Sequence, residues 1–222
     1  YGVHTARHVL PTGISLKAPP PGAREAFRAC HGIPAHGPVA LFVGRVAHEK
    51  NIGFLLDVAE RTRAAVPDML LVIAGDGPAL PGLRRAVAER RLTGRVRFIG
   101  YLERAAGLPA CYAAADAFVF ASRTETQGLV LLEAMAAGLP VVALAAMGTV
   151  DILAAGRGAL VPADDPDAFA GTLARLLGDR ALRGRLAAEA RAYAAQWSST
   201  ALAGRMADVY RQVGREHGLR AA

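Results

Sequence analysis

The sequence has few cysteines, few aromatic residues and no apolar run long enough to cross a bilayer. Its two cysteines are Cys30 and Cys111, and aromatic residues make up 6% of the 222 positions. Two cysteines do not make a disulfide framework, so we predict two free thiols in a reducing compartment. Because no bilayer-length run and no signal-like segment argue for export, we expect a cytoplasmic protein.

Acidic residues are fewer than basic ones. The chain has 26 lysines and arginines against 19 aspartates and glutamates, a formal net charge of +7. This excess fits an anionic ligand, an anionic membrane surface, nucleic acid, or simply a solvated helix face. Because aromatic residues are scarce and no helix-turn-helix, zinc or RNA-recognition pattern occurs, we expect no nucleic-acid partner. The densest basic cluster comprises Arg84, Arg85, Arg90, Arg91, Arg95 and Arg97.

Short apolar runs alternate with helical patterns over most of the chain. The runs predict strands at 39–43, 69–74, 96–99, 117–121, 141–144 and 159–161. We therefore predict an α/β fold, a doubly wound, Rossmann-like parallel sheet of about six strands with helices on both faces. We divide the chain into a linker over 1–35 with a short strand at 8–10, a domain over 36–196, and a C-terminal helix within 197–222.

The loops that follow the predicted strands hold the polar residues of interest. The carboxyl ends of parallel strands share one edge, so the segments 44–50, 75–78, 100–102, 122–128 and 146–149 should line one crevice. A helix that begins near Gly128 offers unpaired N–H groups and a partial positive charge to an anion, and glycine lets that anion come close. Glu125 and Glu133 flank these amides, about 10 Å apart at about 1.5 Å of rise per residue.

This layout fits a sugar nucleotide. Carboxylates accept hydrogen bonds well from the paired hydroxyls of a hexose and of a ribose, and helix amides suit the diphosphate between them. Spacing alone favours a simpler interpretation, in which Ser122 and Glu125 form a capping box and Glu133 is a solvated helix residue.

The loop after the first strand adds two cations to the crevice. Within Gly44-Arg45-Val46-Ala47-His48-Glu49-Lys50-Asn51, arginine can fork onto a phosphate and lysine supplies a mobile charge. With the helix N-terminus they can hold the charge that develops on a leaving nucleoside diphosphate without a metal, so we expect no cofactor. Two basic residues in a loop are also common on ordinary surfaces.

Four segments, taken in order, resemble the C-terminal, donor-binding half of retaining GT-B glycosyltransferases of the family 4-like group. They are Gly44-Arg45 with Glu49-Lys50-Asn51, Gly75-Asp76-Gly77-Pro78, Phe98-x-Gly100-Tyr101, and Glu125-x7-Glu133-Ala-Met-Ala-x-Gly-x-Pro140. The resemblance covers nearly the whole chain. It implies a domain that binds a nucleoside-diphosphate sugar, UDP-glucose first and GDP-mannose second, for hexose transfer to a lipid or saccharide acceptor.

The resemblance also implies a role for each matching residue. Arg45 and Lys50 would bind the donor diphosphate and Glu125 the transferred sugar, so these are the expected catalytic residues. Glu133 would bind the ribose hydroxyls. The other expected nucleotide-sugar contacts are Gly44, Tyr101, Gln127, Gly128, Leu129 and Val130, with the nucleobase beside 99–102.

The chain departs from the family pattern in two respects. The family's Gly-Gly-x-x-Glu is Met147-Gly148-Thr149-Val150-Asp151 here, so we give Asp151 no catalytic role. The family's N-terminal, acceptor-binding domain is missing, so we expect it as the partner of a chain that alone binds donor and transfers little. The nearest resemblance within the family is to bacterial lipid glycosyltransferases, which adds the inner face of the plasma membrane as a further candidate partner.

Two other enzyme classes can share this architecture. An NAD-dependent oxidoreductase is suggested by Gly75-Asp76-Gly77 between a strand and a helix, but the loop after the first strand lacks Gly-x-Gly. Arg95 and Arg97 also flank the strand where an acidic residue would hold a ribose. A sugar-nucleotide epimerase would need further acid and base groups around Glu125, and the sequence offers no clear set.

Overall fold

Six short apolar segments pair into one parallel sheet. The computed structural model describes residues 8–15 and 17–216. The strand order is β3-β2-β1-β4-β5-β6, and every neighbouring pair is parallel. The strands are β1 (Val39–Val43), β2 (Leu70–Ala74), β3 (Val96–Gly100), β4 (Ala117–Phe120), β5 (Val141–Ala143) and β6 (Ala159–Leu160).

Continuous apolar runs form the middle of the sheet because both of its faces are covered there. Every residue of β1, β2, β4 and β5 is buried, as expected for parallel strands packed on both sides. The edge strand β3 is different, since only Val96 is buried and Arg97 is exposed. The core therefore centres on the four inner strands.

Helices pack around this sheet and connect its strands. In the described part of the chain they are α1 (Ala23–Cys30), α2 (Ile52–Thr62), α3 (Leu80–Glu89), α4 (Gly107–Ala113), α5 (Leu129–Ala136), α6 (Thr149–Leu153), α7 (Pro166–Gly178), α8 (Arg180–Ala195) and α9 (Ser199–Glu216). Helix α2 packs on α7, α5 on α8, and α1 on α4. A short 3-10 helix, His48–Lys50, precedes α2.

The predicted fold class is confirmed, with two local differences. Residues 8–10 do not form a strand, and Val9 is 92% exposed, so that prediction is wrong. Helix α1 lies within the predicted linker and was not predicted from the sequence. Residues 1–7 and 16 of the linker and 217–222 of the predicted C-terminal helix lie outside the described residues.

The linker and the last helix meet at one point. Ile14 forms a single parallel bridge with Ser198, in which the Ile14 N–H donates to the Trp197 carbonyl at 2.9 Å. Beyond the buried Leu202, helix α9 carries the exposed side chains of Met206 and Tyr210. None of the described helices is both long and apolar enough to cross a membrane.

Both cysteines are free thiols, as predicted. Cys30 is exposed, whereas Cys111 is buried on α4. Burial raises the pKa of Cys111 to about 12, so this thiol stays protonated at neutral pH and is chemically inert.

Candidate functional site

The site lies at the point in the sheet where the strand order reverses, between β1 and β4. Strand β1 has β2 on one side and β4 on the other, so the loops that leave β1 and β4 diverge and open a crevice at the carboxyl edge. The two loops are tied together at its base. Asn51 Nδ2 donates to the Ala121 carbonyl at 3.2 Å, and Ser122 Oγ donates to the Glu49 carbonyl at 3.3 Å.

Lys50 and Glu125 meet across this crevice. Lys50 Nζ lies 2.9 Å from Glu125 Oε2, and the two side chains are 20% and 17% exposed. Glu125 Oε1 accepts hydrogen bonds from the N–H groups of Gln127 at 3.4 Å and Gly128 at 3.2 Å. Burial raises the pKa of Glu125, but the hydrogen bonds from Lys50 and Gly128 outweigh it and the net shift is downward. The carboxylate is therefore ionised at neutral pH.

Helix α5 begins directly beside this ion pair. The N–H of Gly128 is already taken by Glu125, which differs from its predicted availability to a phosphate. The N–H groups of Leu129 and Val130 have no acceptor in the part of the chain that the structure describes. Two partly buried amides next to a cation are the local features that bind an anion.

Close backbone packing holds the start of α5 in place. Gly128 has a φ of +68°, a conformation that favours glycine. The N–H of Gly148 donates to the Glu125 carbonyl at 2.8 Å, and a Cβ at Gly148 would lie 2.0 Å from the Thr126 carbonyl oxygen. The loop after β5 therefore supports the segment that carries Glu125.

Arg45 lies in a neighbouring part of the crevice. A cavity of about 310 Å³ opens at the carboxyl ends of β1, β2 and β3, lined by Val43, Gly44, Arg45, Ala74, Gly75, Asp76, Tyr101, Leu102 and Leu108. Arg45 is exposed and makes no ion pair with any described residue, and Tyr101 is 79% exposed. Gly44, Arg45 and Tyr101 thus share one cavity, as a common nucleotide site requires.

The Gly75-Asp76-Gly77 segment packs against the protein's own backbone. A Cβ at Gly75 would lie 1.9 Å from the Gly44 carbonyl oxygen, and one at Gly77 would lie 2.4 Å from that of Val46. The Val46 N–H also donates to the Asp76 carbonyl at 2.9 Å. These glycines allow the loops after β1 and β2 to touch, so they do not form the open cradle of a dinucleotide fingerprint.

Glu133 is buried in α5 and has two partners. Its side chain is 7% exposed, and Oε2 accepts a hydrogen bond from the Tyr112 hydroxyl at 3.2 Å. Oε1 forms an ion pair with Arg104, whose side chain is 69% exposed. Burial, and to a smaller extent the charge of Glu133, raises the pKa of Tyr112 well above its ordinary value. The phenol therefore stays protonated and remains a hydrogen-bond donor. This geometry excludes the interpretation of Glu133 as a solvated helix residue.

Sequence reasoning missed Arg104 and Tyr112. Arg104 sits in an irregular loop, and Tyr112 occupies an ordinary apolar position of α4. No local sequence pattern marks either residue, because each is part of the site only through its contact with Glu133, which lies far along the chain. The Gln127 N–H, an expected contact of the donor, donates to Glu125 Oε1 at 3.4 Å, and the Gln127 side chain donates from Nε2 to Thr12 Oγ1 at 3.2 Å.

The predicted arginine cluster is divided among several partners. Arg90 pairs with Asp57, and Arg97 donates to the His31 carbonyl at 3.0 Å. Arg84 lies 6.0 Å from the centroid of the Phe98 ring. Among the described residues, no group of three or more His, Cys, Asp or Glu side chains is placed to hold a metal ion.

Comparison with known proteins identifies the family. The family described as "Glycosyl transferases group 1" matches residues 23–193, most of the chain. The chain belongs to this family. It is 34% identical over 193 residues to the Alpha-D-kanosaminyltransferase of Streptomyces kanamyceticus, covering 86% of this chain and 50% of that protein. It is 35% identical over 230 residues to the D-inositol 3-phosphate glycosyltransferase of Salinispora arenicola, covering 96% and 51%.

Solved structures show the same fold. Sucrose-phosphate synthase from Thermosynechococcus elongatus has a TM-score of 0.78 and 31% identity, covering 94% of this chain and 53% of that one. Anabaena HepE, solved in complex with UDP and glucose, has a TM-score of 0.75 and 22% identity, covering 86% and 52%. The chain spans about half the length of the curated relatives it matches.

Proposed function

We propose that the chain binds the donor of a retaining glycosyltransferase and holds its diphosphate at the start of α5. The observation that carries this proposal is the start of α5, at the switch point of a parallel sheet. There the N–H groups of Leu129 and Val130 have no acceptor among the described residues and follow the Lys50–Glu125 ion pair. Amides and a cation in a crevice can bind a diphosphate and stabilise it as it leaves the sugar. Membership of the glycosyl transferase family gives this anion site its chemical context.

Lys50 and Arg45 approach the diphosphate from two sides of this crevice. Lys50 pairs with Glu125, which also accepts from the Gly128 N–H, so Lys50 is oriented towards the start of α5. Arg45 is exposed in the adjoining cavity and has its guanidinium available for a phosphate. Both cations become more strongly bound as negative charge grows on the leaving group, which lowers the barrier to cleavage of the sugar–phosphate bond.

Glu125 and Glu133 bind the two ends of the donor. The Glu125 carboxylate, next to the amides, accepts hydrogen bonds from the transferred hexose, and Glu133 accepts them from the ribose. The cavity lined by Tyr101, Leu102 and Gly44 receives the nucleobase. We favour UDP-glucose as donor and GDP-mannose second, a choice supported by the HepE complex with UDP and glucose.

The reaction as proposed needs no metal. The two cations and the amides of α5 already supply positive charge at the diphosphate, and this is the electrostatic work that a divalent ion performs in other transferases. Binding of UDP should therefore be unaffected by EDTA. A large loss of affinity on chelation would contradict this part of the proposal.

The acceptor belongs to the whole protein and not to this chain alone. We propose that a separate N-terminal domain binds a lipid or saccharide acceptor, with the region from 197 onwards returning to that domain. The exposed Met206 and Tyr210 on α9 support such a contact, because they extend an apolar stripe beyond the buried Leu202. Attachment of the whole enzyme to the inner face of the plasma membrane remains part of this proposal.

Calorimetric titration of the chain with UDP, GDP and NAD tests the proposed function. We expect heat from UDP, weaker heat from GDP and none from NAD. We expect NAD not to bind because the protein's own backbone occupies the space beside Gly75 and Gly77. A folded sample that binds NAD, or that binds neither UDP nor GDP, would overturn the proposal.

Lys50→Ala should weaken UDP binding about tenfold or more, because a hydrogen bond to a charged group is lost. Arg123→Ala is the matched control, since Arg123 is a nearby loop cation that pairs at 2.8 Å with the surface residue Asp164. The control should leave UDP affinity unchanged. Equal affinity of both variants and the unchanged chain would remove Lys50 from the site.

Substitution of each of the two glutamates tests which end of the site binds the sugar. Glu133→Ala should weaken the binding of UDP, whereas Glu125→Ala should spare UDP and weaken only the binding of UDP-glucose. Titration of each variant with both ligands separates these effects. The opposite pattern would mean that the sugar lies at the Glu133 end.

A further inference from the structure

Arg104 is an exposed side chain whose guanidinium lies on the carboxylate of the buried Glu133. It lies in the loop between β3 and α4, where residues 103–106 are all exposed. Its guanidinium pairs with Glu133 Oε1, although the rest of the side chain is 69% exposed to solvent. A long, exposed cation thus ends on a carboxylate whose side chain is 7% exposed with Arg104 in place.

The second oxygen of Glu133 is held from inside the protein. Tyr112 is fully buried and donates its hydroxyl to Oε2 at 3.2 Å. It cannot leave without opening the core, because its ring packs beside Phe118 with centroids 6.1 Å apart. Of the two partners of Glu133, only Arg104 is free to move.

A carboxylate that is nearly closed off from solvent cannot accept hydrogen bonds from a ligand unless a neighbour withdraws. We infer that Arg104 caps the proposed ribose subsite and that the ribose hydroxyls of the donor displace it from Glu133. This inference rests on the proposed function, since it needs Glu133 to bind a ribose. It gives Arg104 a defined role that is neither catalytic nor purely structural.

The cap has a physical reason and a measurable cost. A buried carboxylate needs a partner, and Arg104 provides one until a ligand replaces it. When the nucleotide arrives, hydroxyl donors replace the guanidinium, which returns to water. The free energy of the Arg104–Glu133 pair is therefore subtracted from the binding free energy of the nucleotide.

Calorimetric titration of Arg104→Ala with UDP tests the inference. Affinity for UDP should rise about two- to fivefold, the range expected from an ion pair with one exposed partner. Affinity for inorganic pyrophosphate, which has no ribose, should not change. Arg185→Ala is the matched control, because Arg185 is 65% exposed and pairs with Glu189 on α8, and it should bind UDP like the unchanged chain.

A second background shows whether Arg104 acts through Glu133. In Glu133→Gln the carboxylate is gone, so adding Arg104→Ala should produce no further gain in UDP affinity. An equal gain in both backgrounds would overturn the inference, since the effect would then not pass through Glu133.

Two other results would also overturn it. Weaker UDP binding by Arg104→Ala would make Arg104 a ligand of the nucleotide instead of a cap, and unchanged binding would mean that it does not cover the subsite. Failure of the unchanged chain to bind UDP or GDP is a different result. It would overturn the proposed function, and this inference with it.

Discussion

Gly148 is a residue at which the site tolerates little change. A Cβ there would meet the Thr126 carbonyl oxygen at 2.0 Å, and this neighbour is backbone that cannot swing aside. We predict that Gly148→Ala lowers the free energy of unfolding by about 1–3 kcal/mol, the usual cost of overpacking. It should also weaken UDP binding, because the shifted segment carries Glu125. Chemical denaturation and calorimetry measure the two effects.

Gly184 provides the control for that substitution. It lies on α8 with nothing within 4 Å of the position of its Cβ. Gly184→Ala should stabilise the protein by about 0.5–1 kcal/mol, since alanine favours a helix. If Gly148→Ala proves as stable as Gly184→Ala, the close packing of the loop after β5 is wrong.

The lowered pKa of Glu125 predicts how the unfolding free energy changes with pH. Hydrogen bonds from Lys50 and from the Gly128 N–H outweigh the opposing effect of burial and lower its pKa in the folded state. The stability that ionised Glu125 contributes is therefore present above its ordinary pKa and is lost as the pH falls through the lowered one. The difference in unfolding free energy between the unchanged chain and Glu125→Gln should shrink from about pH 7 to about pH 3. A constant difference over that range would contradict the Lys50–Glu125 pairing.

At the scale of elements, α1 is attached to the sheet by buried charge. Arg28 is 2% exposed, and its guanidinium lies 3.0 Å from Asp116 Oδ2, which also accepts from the Val39 N–H at 2.9 Å. Arg24 binds the other oxygen of Asp116 at 2.8 Å. One carboxylate just before β4 thus joins α1 to the start of β1.

Asp116→Ala should destabilise the fold strongly. Removing the carboxylate leaves the buried Arg28 without its counter-charge, for which about 3–5 kcal/mol is the usual loss. Asp164→Ala is the control, because it breaks only an exposed pair with Arg123 and should change stability by less than about 0.5 kcal/mol. Thermal or urea unfolding distinguishes the two. Similar midpoints for both variants would show that α1 is not held in this way.

The inner strands could be predicted from the sequence, and α1 could not. Strands such as β1 and β4 are buried on both faces, so their residues are apolar without interruption and their bounds follow from composition. Helix α1 has one large apolar buried residue, Phe27, and buries Arg28 beside it. A buried arginine is intelligible only once its partner, far away in sequence, is known. The strand wrongly predicted at 8–10 shows the converse, since an apolar residue without a neighbouring strand stays exposed.

At the scale of the whole molecule, the sheet order explains which parts of the site could be foreseen. Loops that follow parallel strands gather at one edge, so the meeting of Lys50 with Glu125 follows from the alternation of strands and helices. The contact of Arg104 with Glu133 does not follow, because an irregular loop has no periodicity that fixes its side chains. Sequence reasoning therefore predicted that Lys50 and Glu125 share one crevice and missed the side chain that covers Glu133.

The sheet has a second large opening at its other edge. A cavity of about 560 Å³ lies at the amino ends of β1, β2 and β3 and is lined in part by His36, Arg91 and Arg95. Its cations make it the natural rival for an anionic ligand. In a parallel sheet, however, functional ligands bind at the carboxyl edge, where Lys50 and the first turn of α5 lie.

A crystal structure of the chain with UDP-glucose tests the central claim most directly. We predict that diphosphate oxygens accept hydrogen bonds from the N–H groups of Leu129 and Val130, with Lys50 on the same diphosphate. A nucleotide bound at the opposite edge beside Arg91 and Arg95, or a diphosphate out of reach of the first turn of α5, would contradict the account.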